Sequence, residues 1–404
     1  MKKIEFKSML VSIILVLLIY YFYTPALNIH AIEFWIFIIV ALCIYGASTS
    51  YSTLLSKKFK PEKVGYLGAA VALIVAGVLV TDLFTSKIFH ASRYASRIEV
   101  ENVKFNNKTL HEVDFSKTPI IDRKSTVKLG DKVMGEIPEY VSQFEVSDDY
   151  TQISYKNSVY RVTPLEYASF FKYLTNSKNG IPAYITVNST NGKAEIVKLK
   201  DLGLNGMKYV PSAILNHNLN RKLQLSYPTS IFGSPSFEVD EKGHPWYVCT
   251  TYTYFGVSNK KKVTGAVLFD PITGKSKKYD KDKVPKWVDR VYPEELIMTE
   301  IDENGSLQDG FFNSVLGQKN VTLTSKGYNY LEKDGDIWIY SGITSANKDS
   351  SNLGFVLSNL RTHQTLRFSC SGANEKAAMK SAEGEVKNYG YDATFPLLVN
   401  VGGH

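Results

Sequence analysis

From Ser8 to Ser56 the chain carries no Lys or Arg, and this gap between two basic clusters constrains the fold more than any other feature. It holds two apolar runs, about residues 9–27 and 34–47. A third run at 65–84 follows Lys57, Lys58, Lys60 and Lys63. Each approaches the ~20 residues a helix needs to cross a bilayer core, the middle run being the shortest. With Lys2, Lys3 and Lys7 and the cluster at 57–63 both on the cytoplasmic side of the plasma membrane, three crossings place everything after about residue 85 outside. Lys2, Lys3 and the apolar run also suit a secretory signal. No small-x-small cleavage site follows, however, and Tyr20, Tyr21, Phe22 and Tyr23 form an interfacial aromatic belt, so the segment reads as a retained anchor.

The third run sets Gly68, Ala72 and Ala76 on one helical face. This spacing lets helix backbones approach closely, either within a three-helix anchor or in a homo-oligomer, and it is equally the ordinary Gly and Ala enrichment of membrane helices. Asp82 falls near the interface, where water reaches it. With almost no charge at depth, the module reads as an anchor in membrane lipid and not as a pore.

The 404 residues accommodate this anchor and further domains, divided by composition into 1–85, 86–180, 181–300 and 301–404. Residues 1–85 hold seven Lys/Arg and four Asp/Glu, so the formal charge of +8 leaves +5 for the exported part. That surface is mixed. Its densest basic run, Lys260, Lys261 and Lys262, lies in a turn context and gives no nucleic-acid footprint. Cys43 is intramembrane, leaving Cys249 and Cys370 as the candidate disulfide, though both sit in strand-like surroundings where a buried thiol is the commoner role.

Residues 86–98 keep helical spacing as they leave the bilayer. The chain then breaks into short alternating runs at 98–105, 153–162, 183–188 and 195–199, which read as antiparallel strands. Helices are expected at 164–174, with Thr163 as N-cap and Pro164 first, and at 375–388, ending before Gly390. The fold class is therefore α+β: three transmembrane helices, then antiparallel-sheet modules with few helices. Segment 265–279 matches 354–368 at an offset of 89, and 184–195 is a fainter copy. Each reads as strand, turn, strand, with Asp270 or Asn359 bonding its own backbone and Gly192 or Gly274 supplying a positive φ. Trp246 and Trp338 lie upstream as equivalent core anchors. The apolar stretch 395–401 reads as one arm of a hairpin without its return, which implies a truncated chain or a covering partner.

A helix plus a meander carrying the turn Val267-Leu-Phe-Asp-Pro-Ile-Thr-Gly-Lys275 resembles the PepSY domain of bacterial envelope proteins. The second copy, Val356-Leu-Ser-Asn-Leu-Arg-Thr-His-Gln364, has His363 where the first has Gly274. The stretch 246–403, with Val284-Pro-Lys-Trp-Val-Asp-Arg-Val-Tyr-Pro293, looks like uncharacterised membrane-anchored proteins of Firmicutes. The resemblance implies binding or restraint of a secreted or membrane protein partner, including peptidases, as a class.

No strong chemical motif is present. The seven histidines show no metal-ligand spacing, and neither a nucleophile elbow nor a phosphate loop occurs. Cys249 follows His244 by five positions, a weak pairing for a nucleophile. Glu294, Glu295, Glu300, Asp302 and Glu303 form an acidic cluster that would suit glycan cleavage only in a cleft, and the Asp-Glu-Asn-Gly stretch reads as a turn. Tyr247, Tyr252 and Tyr254 offer either a partner surface or one buried sheet face. The sequence thus points to a membrane-anchored extracytoplasmic binding or scaffold protein, non-enzymatic and without cofactor. The alternatives are a hydrolase of wall polymer and a sensor or regulatory subunit acting through a membrane partner.

Overall fold

A computed structural model describes residues 2–55, 61–115, 117–346, 351–370 and 372–402; Lys57, Lys58 and Lys60 lie outside them. Helices α1 (Lys2–Tyr23), α2 (Ile32–Leu55) and α3 (Pro61–Phe84) are each long and apolar enough to cross a membrane, over Phe6–Tyr23, Ile32–Tyr51 and Val64–Phe84. The 20-residue stretch in α2 exceeds the run expected there. Gly68, Ala72 and Ala76 are exposed along α3. Helix α4 (Lys87–Ala95) follows directly, as the spacing at 86–98 predicts, then strand β1 (Val100–Val103).

Beyond β1 lies a β-rich body of three similar units, each a helix laid on an antiparallel sheet. The first has α5 (Arg123–Gly135), the single turn α6 (Pro138–Val141), β2 (Phe144–Val146), β3 (Thr151–Tyr155), β4 (Ser158–Tyr167), α7 (Phe170–Asn176), β5 (Ala183–Asn188) and β6 (Ala194–Lys198). The second has α8 (Leu219–Ser226), β7 (Ile231–Phe232), β8 (Ser236–Val239), β9 (Pro245–Phe255), β10 (Asn259–Phe269) and β11 (Ser276–Asp280). The third has α9 (Glu294–Leu307), β12 (Thr322–Thr324), β13 (Asn329–Lys333), β14 (Asp336–Ser345), β16 (Gly354–Asn359) and β17 (Thr365–Phe368). A small ladder joins β15 (Ser351–Asn352) to β18 (Gly372–Ala373), and α10 (Glu375–Glu385) comes last. In every unit two short strands pair in series along one side of a long strand, β2 and β3 on β4, β7 and β8 on β9, β12 and β13 on β14, and two more strands complete the meander. Strand β1 adds in parallel to β17. The compositional division at 180 falls inside the first sheet, between the paired strands β4 and β5, and that at 300 falls inside α9.

The final hairpin of each unit carries the repeated turn. Asn188, Asp270 and Asn359 each take two backbone N–H groups on the side-chain oxygen at 2.8–3.3 Å. Their carbonyls accept from Gly192, Gly274 and His363, all at positive φ (75°, 72° and 67°). His363 holds this unfavourable conformation because its ring stacks on Tyr292 (4.2 Å, 2°) and its Nε2 meets Glu300 at 2.7 Å.

Successive strand residues point to opposite faces, so the units share cores. Tyr247, Cys249, Val267 and Phe269 join Ile153, Leu165 and Ile185 of the first unit and Leu223 of α8. Val248, Ala266 and Leu268 join Ile297 and Ile301 of α9 and Ile337, Ile339 and Val356 of the third unit. The far face of the third sheet, with Trp338, Tyr340, Leu357 and Phe368, is covered by Leu110, Phe105, Phe395 and Leu398. The stretch 395–401 is thus not a strand but a strap over this face, held where Asn400 accepts from Val113 N–H (2.8 Å) and donates to the Leu110 carbonyl (2.7 Å).

The helix expected at 164–174 starts later. Pro164 lies in β4 at the point where its partner changes from β3 (through Val162) to β2 (from Leu165), so its missing N–H breaks no ladder. Thr163, expected as a cap, is buried and donates to the Ser147 carbonyl, while Ser169 caps α7. The helix at 375–388 is present as α10 and a following short turn, ending at Gly390.

The helical bundle is fused to the second unit. Leu27 N–H donates to the Pro228 carbonyl (2.7 Å), Ala31 is fully buried, and His30 Nδ1 lies 2.6 Å from the Gly256 carbonyl. Asp82 is not simply wetted: it accepts from Val257 N–H, Ser258 N–H and Ser258 Oγ in the β9–β10 hairpin. Gly256 makes this contact possible, because its φ is 81° and a Cβ there would collide with Thr85.

Candidate functional site

The residues expected to form a partner surface do not share one. Tyr247 and Tyr252 are 2% and 5% exposed and belong to different cores, and Tyr254 packs beside the second of them. The even spacing from 252 to 254 does not extend to 247, because the chain position changes parity and so changes face. Trp338 is a buried anchor opposite Asn359; Trp246 occupies the matching place beside Asp270 but is half-buried, in tilted ring contacts with His244 (5.0 Å) and Trp287 (5.9 Å). The candidate disulfide is not formed. Cys249 is wholly buried, its thiol pushed up by burial, and Cys370 is exposed; both are free.

The acidic cluster lies on α9, not in a turn. Asp302 accepts from Thr324 N–H and Oγ1, Asn304 donates to the Ala95 carbonyl, and Gly305 leaves room for the Thr322 carbonyl. Glu294 pairs with Arg290 (2.8 Å) and accepts from Tyr330 Oη; Glu300 meets His363 and Arg97, and Glu303 pairs with Arg97. These carboxylates therefore hold α9 to β12, β13, the turn at 359–363 and Arg97 just beyond α4. No group of three potential metal ligands occurs among the described residues.

Two acidic groups with no signal in the sequence are buried where the units meet. Glu238 on β8 accepts from Asp289 N–H (2.8 Å) and Arg290 N–H (3.2 Å), and Asp289 accepts from Ser154 N–H (2.9 Å), so the two carboxyls tie the first and second units to the segment that leads into the third. Burial pushes the Glu238 carboxyl up to about 7, and Asp289 is raised by burial and by Glu238 beside it.

A groove of about 450 Å³ lies beside β13. Among the described residues this strand pairs with β14 alone and is an edge, and its residues Tyr330, Leu331, Glu332 and Lys333 form one wall. The opposite wall is the pair of segments 110–114 and 397–400, bridged by Val113 and Asn400; Asn329 Nδ2 ties β13 to the Phe395 carbonyl at 3.0 Å. The rim is a tight hairpin turn with Asp334 and Gly335 both at positive φ, a pattern favoured by Asp-Gly. Lys333 and His111 flank Asp334, and the Lys333 hydrogen bond, with burial opposing it, lowers the Asp334 carboxyl. Glu112, Asp114, Glu332 and Asp334 outnumber Lys117 and Lys333 around the opening, so it favours positive charge. The volume is within the range of ligand sites. No family model, curated protein or solved structure matches the chain.

Proposed function

We propose that the chain is a membrane-anchored extracytoplasmic binding protein of the cell envelope, built of three PepSY-like units and holding an extended, basic polypeptide segment of a secreted or membrane partner in the groove beside β13. The observation that carries this reading is the groove itself: an edge strand open along one side, faced by a second wall and ringed by carboxylates. Added strands gain main-chain hydrogen bonds at such an edge, and the side chains around it select the partner. The three helix-on-meander units support the PepSY likeness, whose class implication is partner binding or restraint. A regulatory variant of the same reading draws on the fusion of the bundle to the second unit, which offers a rigid path to a membrane partner; the exposed Gly68, Ala72 and Ala76 face is where another helix, including a second copy, would pack.

Photo-crosslinking tests it. With p-benzoylphenylalanine at Glu112 or Asp334 in the full chain, irradiation of the native envelope should give the same polypeptide adduct from both positions, and none from Lys193 on the first unit. Adducts that do not differ from those of Lys193, or no adducts at all, reject the groove as the binding site.

A further inference from the structure

Two exposed apolar patches in the β-rich body have no cover among the described residues, and both are tied to the ends of the membrane helices from which that body hangs. The first is on α7, where Phe170, Phe171 and Leu174 are 57%, 73% and 54% exposed. Tyr173 of the same helix bonds the Ile214 carbonyl and His217 Nδ1. The neighbouring Asn216 accepts from Tyr21 Oη at 2.7 Å, and Arg221 bridges the Leu215 carbonyl to the Tyr21 carbonyl in the last turn of α1. Only one layer of residues therefore separates α7 from the end of a membrane helix.

The second patch, Phe312, Val315 and Leu316, is 67%, 55% and 79% exposed just beyond α9. Its height follows from the pairing of α9 with α4. Glu303 meets Arg97, Asn304 meets the Ala95 carbonyl, Leu307 packs on Tyr94 and Ala95, and Phe311 packs on the same cluster, as does Ala91. Each step forward along α9 is a step back along α4 toward α3. Gly310, at φ 90°, then ends this helical course, and 312–316 follow directly from Phe311, which stays on that cluster; Phe89 of α4 is itself exposed and stacked on Phe84 at the end of α3.

We infer that the β-rich body rests on the surface of the same bilayer through these two apolar contacts, Phe170/Phe171/Leu174 on one side of the bundle and Phe312/Val315/Leu316 on the other. The occupant is lipid at the boundary between headgroups and acyl chains. Two features favour it over a protein partner: nearness to the ends of the membrane-spanning helices, and a lysine next to each patch in sequence, Lys172 and Lys319, of the charge that anionic headgroups attract. Single-chain amphipathic contacts of this kind are weak alone and become effective when the chain is already tethered. Together with the fusion of α3 to the β9–β10 hairpin, two contacts fix the tilt of the body and the direction in which the groove opens. The inference needs only that the three helices span the membrane and is independent of what the groove binds.

The test uses the full chain with Cys43 and Cys370 replaced by Ser, reconstituted in nanodiscs of phosphatidylcholine and phosphatidylglycerol. An environment-sensitive fluorophore is attached at Phe171→Cys, Leu316→Cys or, as control, Lys242→Cys. Lys242 is exposed in the turn before β9, and the 11 residues of that strand set it about 35 Å from the hairpin docked on α3. Lipid carrying a nitroxide at the fifth acyl carbon should quench positions 171 and 316 about twofold or more over position 242. Quenching at 171 and 316 no greater than at 242 overturns the inference. Quenching at only one of them overturns the two-point arrangement, and unquenched labels that crosslink between copies assign the patches to self-association instead. An unchanged thermal transition of each labelled protein shows that the fold is retained.

Discussion

Glu238 shows most directly how single residues hold this molecule together and what they cost. Its carboxyl is fully buried on β8 and accepts main-chain N–H groups from the segment that leads into the third unit. A buried carboxylate is stabilised by those donors and penalised by lost hydration, and here the penalty wins, since the group titrates near 7 instead of 4.5. The folded form therefore keeps its proton over a range in which the unfolded chain has released it. The contribution to stability is fully present below about 4.5 and is lost as pH rises through 7, on the order of 3 kcal/mol in total. Asp289, also raised, acts in the same direction. The detergent-solubilised full chain should accordingly melt at a lower temperature at pH 8 than at pH 5, and Glu238→Gln should flatten that slope even if it lowers stability at both values. A slope that Glu238→Gln leaves unchanged would show that another group sets the pH response.

Among the elements, the final hairpins were legible in the sequence because everything that shapes them is local. An Asx residue bonding the amides two and three residues on, and a positive-φ position four residues on, define the turn within a few residues, and the same turn is found three times. The helices α1 to α3 were legible for a similar reason, being set by composition alone. Helix α7 and the long strand β4 were not. Pro164 looks like the first residue of a helix until the two strands that share β4 are known, and that knowledge is not local. The Asp-Glu-Asn-Gly stretch reads as a turn by composition and is helical because its side chains are occupied by β12 and α4. The groove had even less signal, since its walls come from segments almost 300 residues apart. The same distinction governs what mutation does at the junction of α3 with the β9–β10 hairpin. Asp82 supplies three bonds to that turn, two of them to amides, so Asp82→Ala should free the Val257 and Ser258 amides to exchange roughly tenfold faster, equivalent to about 1.4 kcal/mol. Exchange in β16 and β17, which the contact does not touch, should be unaltered. Hydrogen exchange with mass-spectrometric readout measures both, and equal acceleration in the third sheet would mean that the junction supports the whole fold and not only the hairpin.

For the whole molecule, the decisive question is which side of the membrane the three units occupy, because the groove meets secreted partners only if it faces out. Tyr23 at the end of α1, Ile32 at the start of α2 and Phe84 at the end of α3 lie at the end of the bundle that carries the β-rich body, and Lys2, Lys3 and Lys7 lie at the other. The body therefore cannot be on the same side as the amino-terminal lysines if the helices span. Positive charge flanking short membrane segments is retained in the cytoplasm, so the body is expected outside. In a chain with Cys43 and Cys370 replaced by Ser, a membrane-impermeant maleimide added to intact cells should label Lys242→Cys and leave Lys7→Cys untouched until the cells are opened. The reverse pattern would put the groove in the cytoplasm. Labelling of both positions in intact cells would mean that the bundle does not span at all, and with that result the bilayer contacts of the two apolar patches would lose their geometric basis as well.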